Sequence, residues 1–155
     1  MPKTLYIVAT PIGNLEDITL RAIRILKEVD VICAEDTRNT QKLLRHLEIS
    51  KRLLSLHEFS DTARIEQVLA LLQAGQDVAL VSDAGTPLIS DPGAYLVRRA
   101  REAGFTVSPI PGACAAIAAL CASGFEGGFT FYGFLPKSGT VRKQIVAQII
   151  ASEHN

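Results

Sequence analysis

Read for apolar runs alone, the chain offers short strand-length segments: LYIVA (5–9), VDVICA (29–34), LLSL (53–56), VALVS (78–82) and TVSPI (106–110). Several are apolar at consecutive positions, which predicts parallel strands covered on both faces. Between them the period becomes helical. Ile18, Ala22, Ile25, Leu26 and Val29 form one face of a first helix, and Ile65, Val68, Leu69 and Leu72 form another that Gly75 stops. A helix beginning near residue 92 is expected to have Asp91 as its cap, Pro92 at its first position and Gly104 just beyond its end. The segment CAAIAALCAS (114–123) is small and apolar throughout, which predicts a buried helix.

This alternation predicts an α/β fold: an open parallel five-stranded sheet with helices on both faces, occupying residues 1–124. The Gly-rich stretch GFEGG (124–128) then breaks the pattern. FTFYGFL (129–135) reads as a new strand and residues 139–152 as a new helix, so residues 125–155 are expected to begin a second α/β domain. One strand and one helix cannot close a core, and the chain is expected to end inside that domain.

Composition narrows the class without naming a function. Lys+Arg and Asp+Glu each number 16, so no bulk basic field draws nucleic acid, and only a local patch could serve that purpose. Cys33, Cys114 and Cys121 lack zinc-like spacing, which reads as reduced thiols in a cytoplasmic protein with no disulfide framework and no metal. No apolar run approaches membrane-span length, and MPKTLYIVATPIGN is too short in its apolar part for a signal peptide.

The polar residues have a direction. In an open parallel sheet, ligands bind outside the carboxyl ends of the strands. Those ends carry Thr10-Pro11-Ile12-Gly13-Asn14, Glu35-Asp36-Thr37-Arg38, His57-Glu58, Ser82-Asp83-Ala84-Gly85-Thr86-Pro87 and Pro111-Gly112-Ala113-Cys114, while the opposite ends are plainer. Turns and caps explain part of this. The loop SDAGTPLISDPG (82–93) holds more special residues than a cap requires, and its glycines would let a small molecule approach the backbone closely. A GxGxxG fingerprint is missing after the first strand, where the chain reads ATPIGN, and no GxxxxGK[ST] occurs, which argues against a dinucleotide fold and a P-loop ATPase.

TPIGNLEDITLRA (10–22), AEDTR (34–38), SDAGTPLISDPG (82–93), PGACAA (111–116) and FYGFLPKSG (131–139) resemble, in order, the tetrapyrrole-methylase-like superfamily of S-adenosylmethionine (SAM) enzymes. Within it they are most similar to the ribosomal RNA small-subunit methyltransferase I branch, which methylates a cytidine ribose 2′-hydroxyl. The resemblance implies a two-domain homodimer holding SAM between domains and acting on small-subunit ribosomal RNA or the assembled small subunit. Motif by motif it places Ile12 and Gly13 in the first cofactor loop, with Ile12 where the family has proline. It places Asp83, Ala84, Gly85, Thr86 and Ile89 in the second, with Thr86 replacing the aspartate of a Gly-Asp-Pro motif. Cys114 and Ala115 fall in a third, Cys114 standing at a hydroxyl position. These departures favour the RNA branch over a tetrapyrrole acceptor, and backbone contacts at Ala84, Gly85, Ile89 and Ala115 should tolerate them best. A SAM- or nucleotide-binding module without catalysis is the rival of another class.

A ribose hydroxyl needs a nearby base, and Glu35 and Asp36 are the candidates for that base or for orienting the ribose. Asp36 has a second reading as the cap of the following helix. Arg38 could hold an RNA phosphate or pair with a neighbouring carboxylate. Lys137, Arg142 and Lys143 form a small basic group with two readings, RNA contact or a solvated helix face. His57 could face the cleft; His46 and His154 read as surface residues. Cys114 reads as packing, not as a nucleophile.

Overall fold

The computed structural model describes residues 3–57 and 62–151; Glu58 and His154 lie outside the described residues. It contains β1 (Thr4–Val8), α1 (Leu20–Glu28), β2 (Val31–Ala34), α2 (Thr37–His46), β3 (Arg52–Ser55), α3 (Thr62–Gln73), β4 (Val78–Val81), α4 (Ala94–Glu102), β5 (Thr106–Ile110), α5 (Ala115–Ser123) and α6 (Thr140–Ala151), with a 3-10 turn at Leu15–Asp17. The five strands pair in parallel in the order β3-β2-β4-β1-β5. The expected sheet is present, and each of its five strands lies where expected, with ends differing by a residue or two.

The consecutive apolar runs divide between two layers, as strand geometry requires. Leu5, Ile7, Val31, Cys33, Val78 and Leu80 face one core with α3 and α4. Val8, Ile32, Ala34, Ala79 and Val81 face the other with α1 and α2. All four residues of β2 and of β4 are buried. The edges are different: β3 exposes Arg52, and β5 carries Pro109, which removes an N–H and is tolerated only at an edge or bulge.

Local signals fix most helix ends. Thr19 caps α1 through the Ala22 N–H, and Asp36 caps α2 through the Arg38 N–H. Gly75 and Gly104 follow α3 and α4 at φ +85° and +80°, the left-handed conformation that ends a helix. The start of α4 departs from expectation. The helix begins at Ala94, its cap is Gly93 at φ +120°, and no side chain caps it. Asp91 does not cap it. Gly93 is the residue that fits here because a β-carbon would lie 2.6 Å from Leu80 Cδ2 and 3.1 Å from Leu88 Cδ2.

The described chain forms two compact units, Met1–Ala115 and Ala116–Asn155. Two expectations about the second half fail. The helix α5 has no buried residue, and Ile117 is exposed. An apolar sequence is buried only where a neighbouring layer covers it. FTFYGFL forms no strand, and Phe129, Phe131, Tyr132 and Phe134 are exposed; β propensity without a pairing partner does not make a strand. The expected helix is present as α6. No helix among the described residues is long and apolar enough to cross a membrane.

The two positive-φ glycines around α4 predict different costs. Gly104→Ala meets nothing within 4 Å and should lose about 1 kcal/mol, the left-handed penalty of a β-carbon. Gly93→Ala adds the collision with Leu80 and should lose at least twice as much. Urea unfolding of the two variants checks this; equal losses would show that the contact at Gly93 relaxes freely.

Candidate functional site

The strand order creates a specific place for a ligand. From β1 the chain crosses through α1 on one face to β2, and from β4 it crosses through α4 on the other face to β5. Since β1 and β4 are neighbours, their outgoing loops part above the carboxyl ends of the sheet, the switch point at which open α/β sheets bind ligands.

Here the parting loops are stitched together. Thr10 N–H donates to Gly85 O at 2.9 Å and Gly85 N–H donates to Thr10 O at 3.0 Å. The Thr10 hydroxyl donates to Ser82 O at 3.2 Å, and the Ser82 hydroxyl donates to Gly85 O at 3.1 Å. Thr86 Oγ1 donates to Ala113 O at 3.0 Å, which ties in the loop after β5. Asp83 reaches the other way, accepting from Asp36 N–H at 3.1 Å and from Asn39 Nδ2 at 2.8 Å. The segments after β1, β2 and β5 are thereby held around the loop that follows β4.

That loop is bent by backbone conformation as well as by hydrogen bonds. Gly85 has φ +91°, Leu88 +74°, Ser90 +68° and Gly93 +120°. A leucine in the left-handed region is a strained exception and marks a segment whose surroundings dictate its shape. A β-carbon on Gly85 would come 3.3 Å from Ile12 Cγ2 and 3.6 Å from Ala113 O, and one on Gly112 would come 2.8 Å from Ala9 Cβ. These two glycines permit the close approach of the three loops.

The structure thus brings together Ile12, Asp83, Gly85 and Thr86 directly, with Asp36 and Arg38 joined through Asp83. Gly13 is exposed in the β1 loop, and Ala84 and Ile89 are exposed on the β4 loop. Ile89 also lines, with Thr86, Pro87 and Leu88, an apolar groove of about 750 Å³ that runs toward Phe105 on the α4 side. Cys114 is half-buried and Ala115 exposed after β5. Lys137, Arg142 and Lys143 lie in the second unit, where Arg142 Nη1 donates to Pro136 O at 3.1 Å.

The two readings of the β2 end separate. Asp36 is the α2 cap, and its carboxylate also grips Arg38 through Nη2 at 2.6 Å and Nε at 3.0 Å. The Arg38 side-chain hydrogen bonds, with the backbone bond, lower the Asp36 carboxyl from 3.8 to about 2. A carboxylate so committed is a weak base. Glu35 lies half-buried beside it at the end of β2. Burial, aided by the Asp83 charge, raises the Asp91 carboxyl above the usual range. Burial pushes the Cys33 thiol up to about 12, so it packs as an apolar side chain and is no nucleophile.

Asn39, Ser82 and Thr10 were not among the expected site residues, although each holds the loops in place. Asn39 offers no local signal, since its partner Asp83 is distant in sequence. Thr10 and Ser82 are legible only once β1 and β4 are known to be neighbours.

Residues 4–148 match the family described as Tetrapyrrole (Corrin/Porphyrin) Methylases. Among curated relatives, Ribosomal RNA small subunit methyltransferase I of Escherichia coli O157:H7 is 55% identical over 148 residues, covering 95% of this chain and 52% of the relative. The protein of the same name from Pasteurella multocida is 56% identical over 139 residues, covering 89% and 50%. The chain spans about half the length of the curated relatives it matches. Among solved structures, uroporphyrin-III-C-methyltransferase from Thermus thermophilus superposes with TM-score 0.61 at 25% identity, over 81% of this chain and 55% of that one. Cobalt precorrin-4 methyltransferase gives 0.58 at 21% identity, over 79% and 51%, a likeness of fold.

Two outcomes follow from the stitched loops. Thr86→Val removes the hydroxyl that satisfies Ala113 O and should cost about 1 kcal/mol in urea unfolding; no loss would mean that the bond contributes nothing to holding the β5 loop. For Asp36 the folded value of about 2 lies below the ordinary 3.8, so its stabilisation is complete above 3.8 and is lost as pH falls through about 2. The stability gap between wild type and Asp36→Asn should therefore close across that window in urea midpoints measured against pH. A gap unchanged down to the lowest pH would contradict the assignment.

Proposed function

We propose a function that proceeds from one fact: the chain belongs to the Tetrapyrrole (Corrin/Porphyrin) Methylases family. The reading is a SAM-dependent methyltransferase that modifies the ribose 2′-hydroxyl of a cytidine in small-subunit ribosomal RNA. The observation that carries it is identity above one half to proteins named Ribosomal RNA small subunit methyltransferase I across nearly all of this chain. The same reading includes a homodimer working in the cytoplasm, a second domain beginning near residue 125, and the assembled small subunit or its RNA as substrate.

The stitched loops fit SAM on chemical grounds. The β4 loop exposes Ala84 and Ile89 beside Gly85, against which the apolar side chain of Ile12 packs. Asp36 is matched by Arg38, while the charge of Asp83, felt by Asp91 on the same loop, favours a cationic ligand. The residues proposed to hold it are Ile12, Gly13, Asp83, Ala84, Gly85, Thr86, Ile89, Cys114 and Ala115. When bound, SAM supplies an electrophilic methyl group on a good leaving sulfonium.

The protein's own task is alignment and proton removal. The double backbone bond between Thr10 and Gly85 fixes the cradle, and Thr86 keeps the β5 loop against it. Glu35 is the proposed base, because Asp36 is committed to the α2 cap and to Arg38. Asp36 and Arg38 act as a paired unit that shapes the acceptor side. Thr86 leaves no carboxylate where the family's Gly-Asp-Pro motif has one, which supports an RNA acceptor over a tetrapyrrole.

Transfer of a tritiated methyl group from SAM to small subunits lacking the modification tests the reading. Label recovered as 2′-O-methylcytidine is the expected result. Glu35→Gln should lower the rate at least about 100-fold while SAM affinity stays as in wild type. Label on a base, or on no RNA, would overturn the RNA reading; full activity in the variant would remove Glu35 from the role of base.

A further inference from the structure

The outer side of α2 has a property that the cofactor cradle does not use. The helix TRNTQKLLRH contains no acidic residue. Thr40, Leu43 and Leu44 are buried against the sheet, which leaves Arg38, Lys42 and Arg45 on the exposed side. These three cations rise in steps of about 5 Å along the helix axis. Together with Thr37, Gln41 and Leu53 they line a groove of about 540 Å³ at the β3 edge of the sheet, and no carboxylate is among the residues lining it.

Unlike α1 and α4, α2 has no carboxylate along its length to pair with its cations. On α1, Arg24 pairs with Glu28, and on α4, Arg98 and Arg99 pair with Glu102. On α2 only Arg38 is paired, to Asp36 at the cap. Among the described residues Lys42 has only the side-chain oxygen of Asn39 at 3.4 Å, and Arg45 has no ion pair. A chain with zero net charge thus keeps two uncompensated cations in one groove. The groove also has a direction. Thr37 and Arg38 line its upper end, and Arg38 is joined through Asp36 to Asp83 of the cofactor loop.

We propose that this groove seats the sugar-phosphate backbone of the RNA substrate, with Lys42 and Arg45 neutralising phosphates that flank the target nucleotide. The proposal rests on the RNA reading above and adds a surface to it. Charge complementarity selects the occupant: an acid-free row of long cationic side chains beside hydroxyl and amide donors suits successive phosphates. Arg38, gripped by Asp36, marks where the strand turns from this track toward the methyl donor.

The test is fluorescence anisotropy of a labelled stem-loop RNA cut from small-subunit rRNA, titrated with the full chain over a salt series. K42Q/R45Q should bind roughly tenfold more weakly and lower the slope of log affinity against log salt by about 1.5, as expected for two lost phosphate contacts. The charge-keeping pair Lys42→Arg with Arg45→Lys should restore both, and R21Q/K27Q, on the exposed side of α1, should change neither. Calorimetric SAM binding should be the same in all, which shows that the fold is intact. Wild-type affinity and slope in K42Q/R45Q would overturn the groove while leaving the enzyme reading standing. Failure of the wild-type chain to bind RNA at any salt would also overturn it, and methyl transfer to subunits would then judge the enzyme reading separately.

Discussion

The pair of backbone hydrogen bonds between Thr10 and Gly85 is the constraint on which the rest of the site depends. Adjacent parallel strands whose connections leave on opposite faces have loops that diverge, and the gap between them would ordinarily be left to solvent. Here the two loops are pulled back into a short antiparallel bridge immediately past the ends of β1 and β4. Thr10 and Ser82 are buried polar residues, and each gives its hydroxyl to a carbonyl of the β4 segment. A buried hydroxyl without a partner would be costly, so these bonds specify one arrangement of the loops. The Asp83 and Thr86 contacts then extend the same frame to the ends of β2 and β5.

Energetically the arrangement is a strained loop held by a well-packed base. β2 and β4 are buried along their whole length, and Leu5, Leu80 and Leu96 are almost entirely shielded from water. That packing offsets the cost of holding Leu88 and Ser90 at positive φ. The same logic explains Gly93. Leu80 and Leu88 converge on it, and the helix start that Asp91 and Pro92 would have made is displaced to Ala94.

Much of the fold was legible in the sequence because its signals are local. Consecutive apolar residues in VDVICA and VALVS imply strands covered on both sides, and the glycines at 75 and 104 end helices as expected. The failures are equally physical. CAAIAALCAS and FTFYGFL carry intrinsic tendencies that need a neighbouring layer or strand to be expressed, and the second unit provides neither. The site was legible as a set of loops, since SDAGTPLISDPG is far richer than a turn requires. Its internal wiring was not, because Thr10 with Gly85, and Asp83 with Asn39, meet only after the strand order is known. At Asp36 and Arg38 the sequence offered both readings, and the structure shows the cap and the ion pair.

The most direct test of the account is a calorimetric titration of SAM into this chain, beside Gly85→Arg. Gly85 is buried, at φ +91°, and within 3.3 Å of Ile12 at the β-carbon position, so a long side chain there must fill the cradle or break the Thr10 bridge. Saturable binding by the wild type that vanishes in the variant, with both chains showing the same helical content, is the predicted result. Equal binding in both would contradict the claim that the bridged β1 and β4 loops hold the methyl donor.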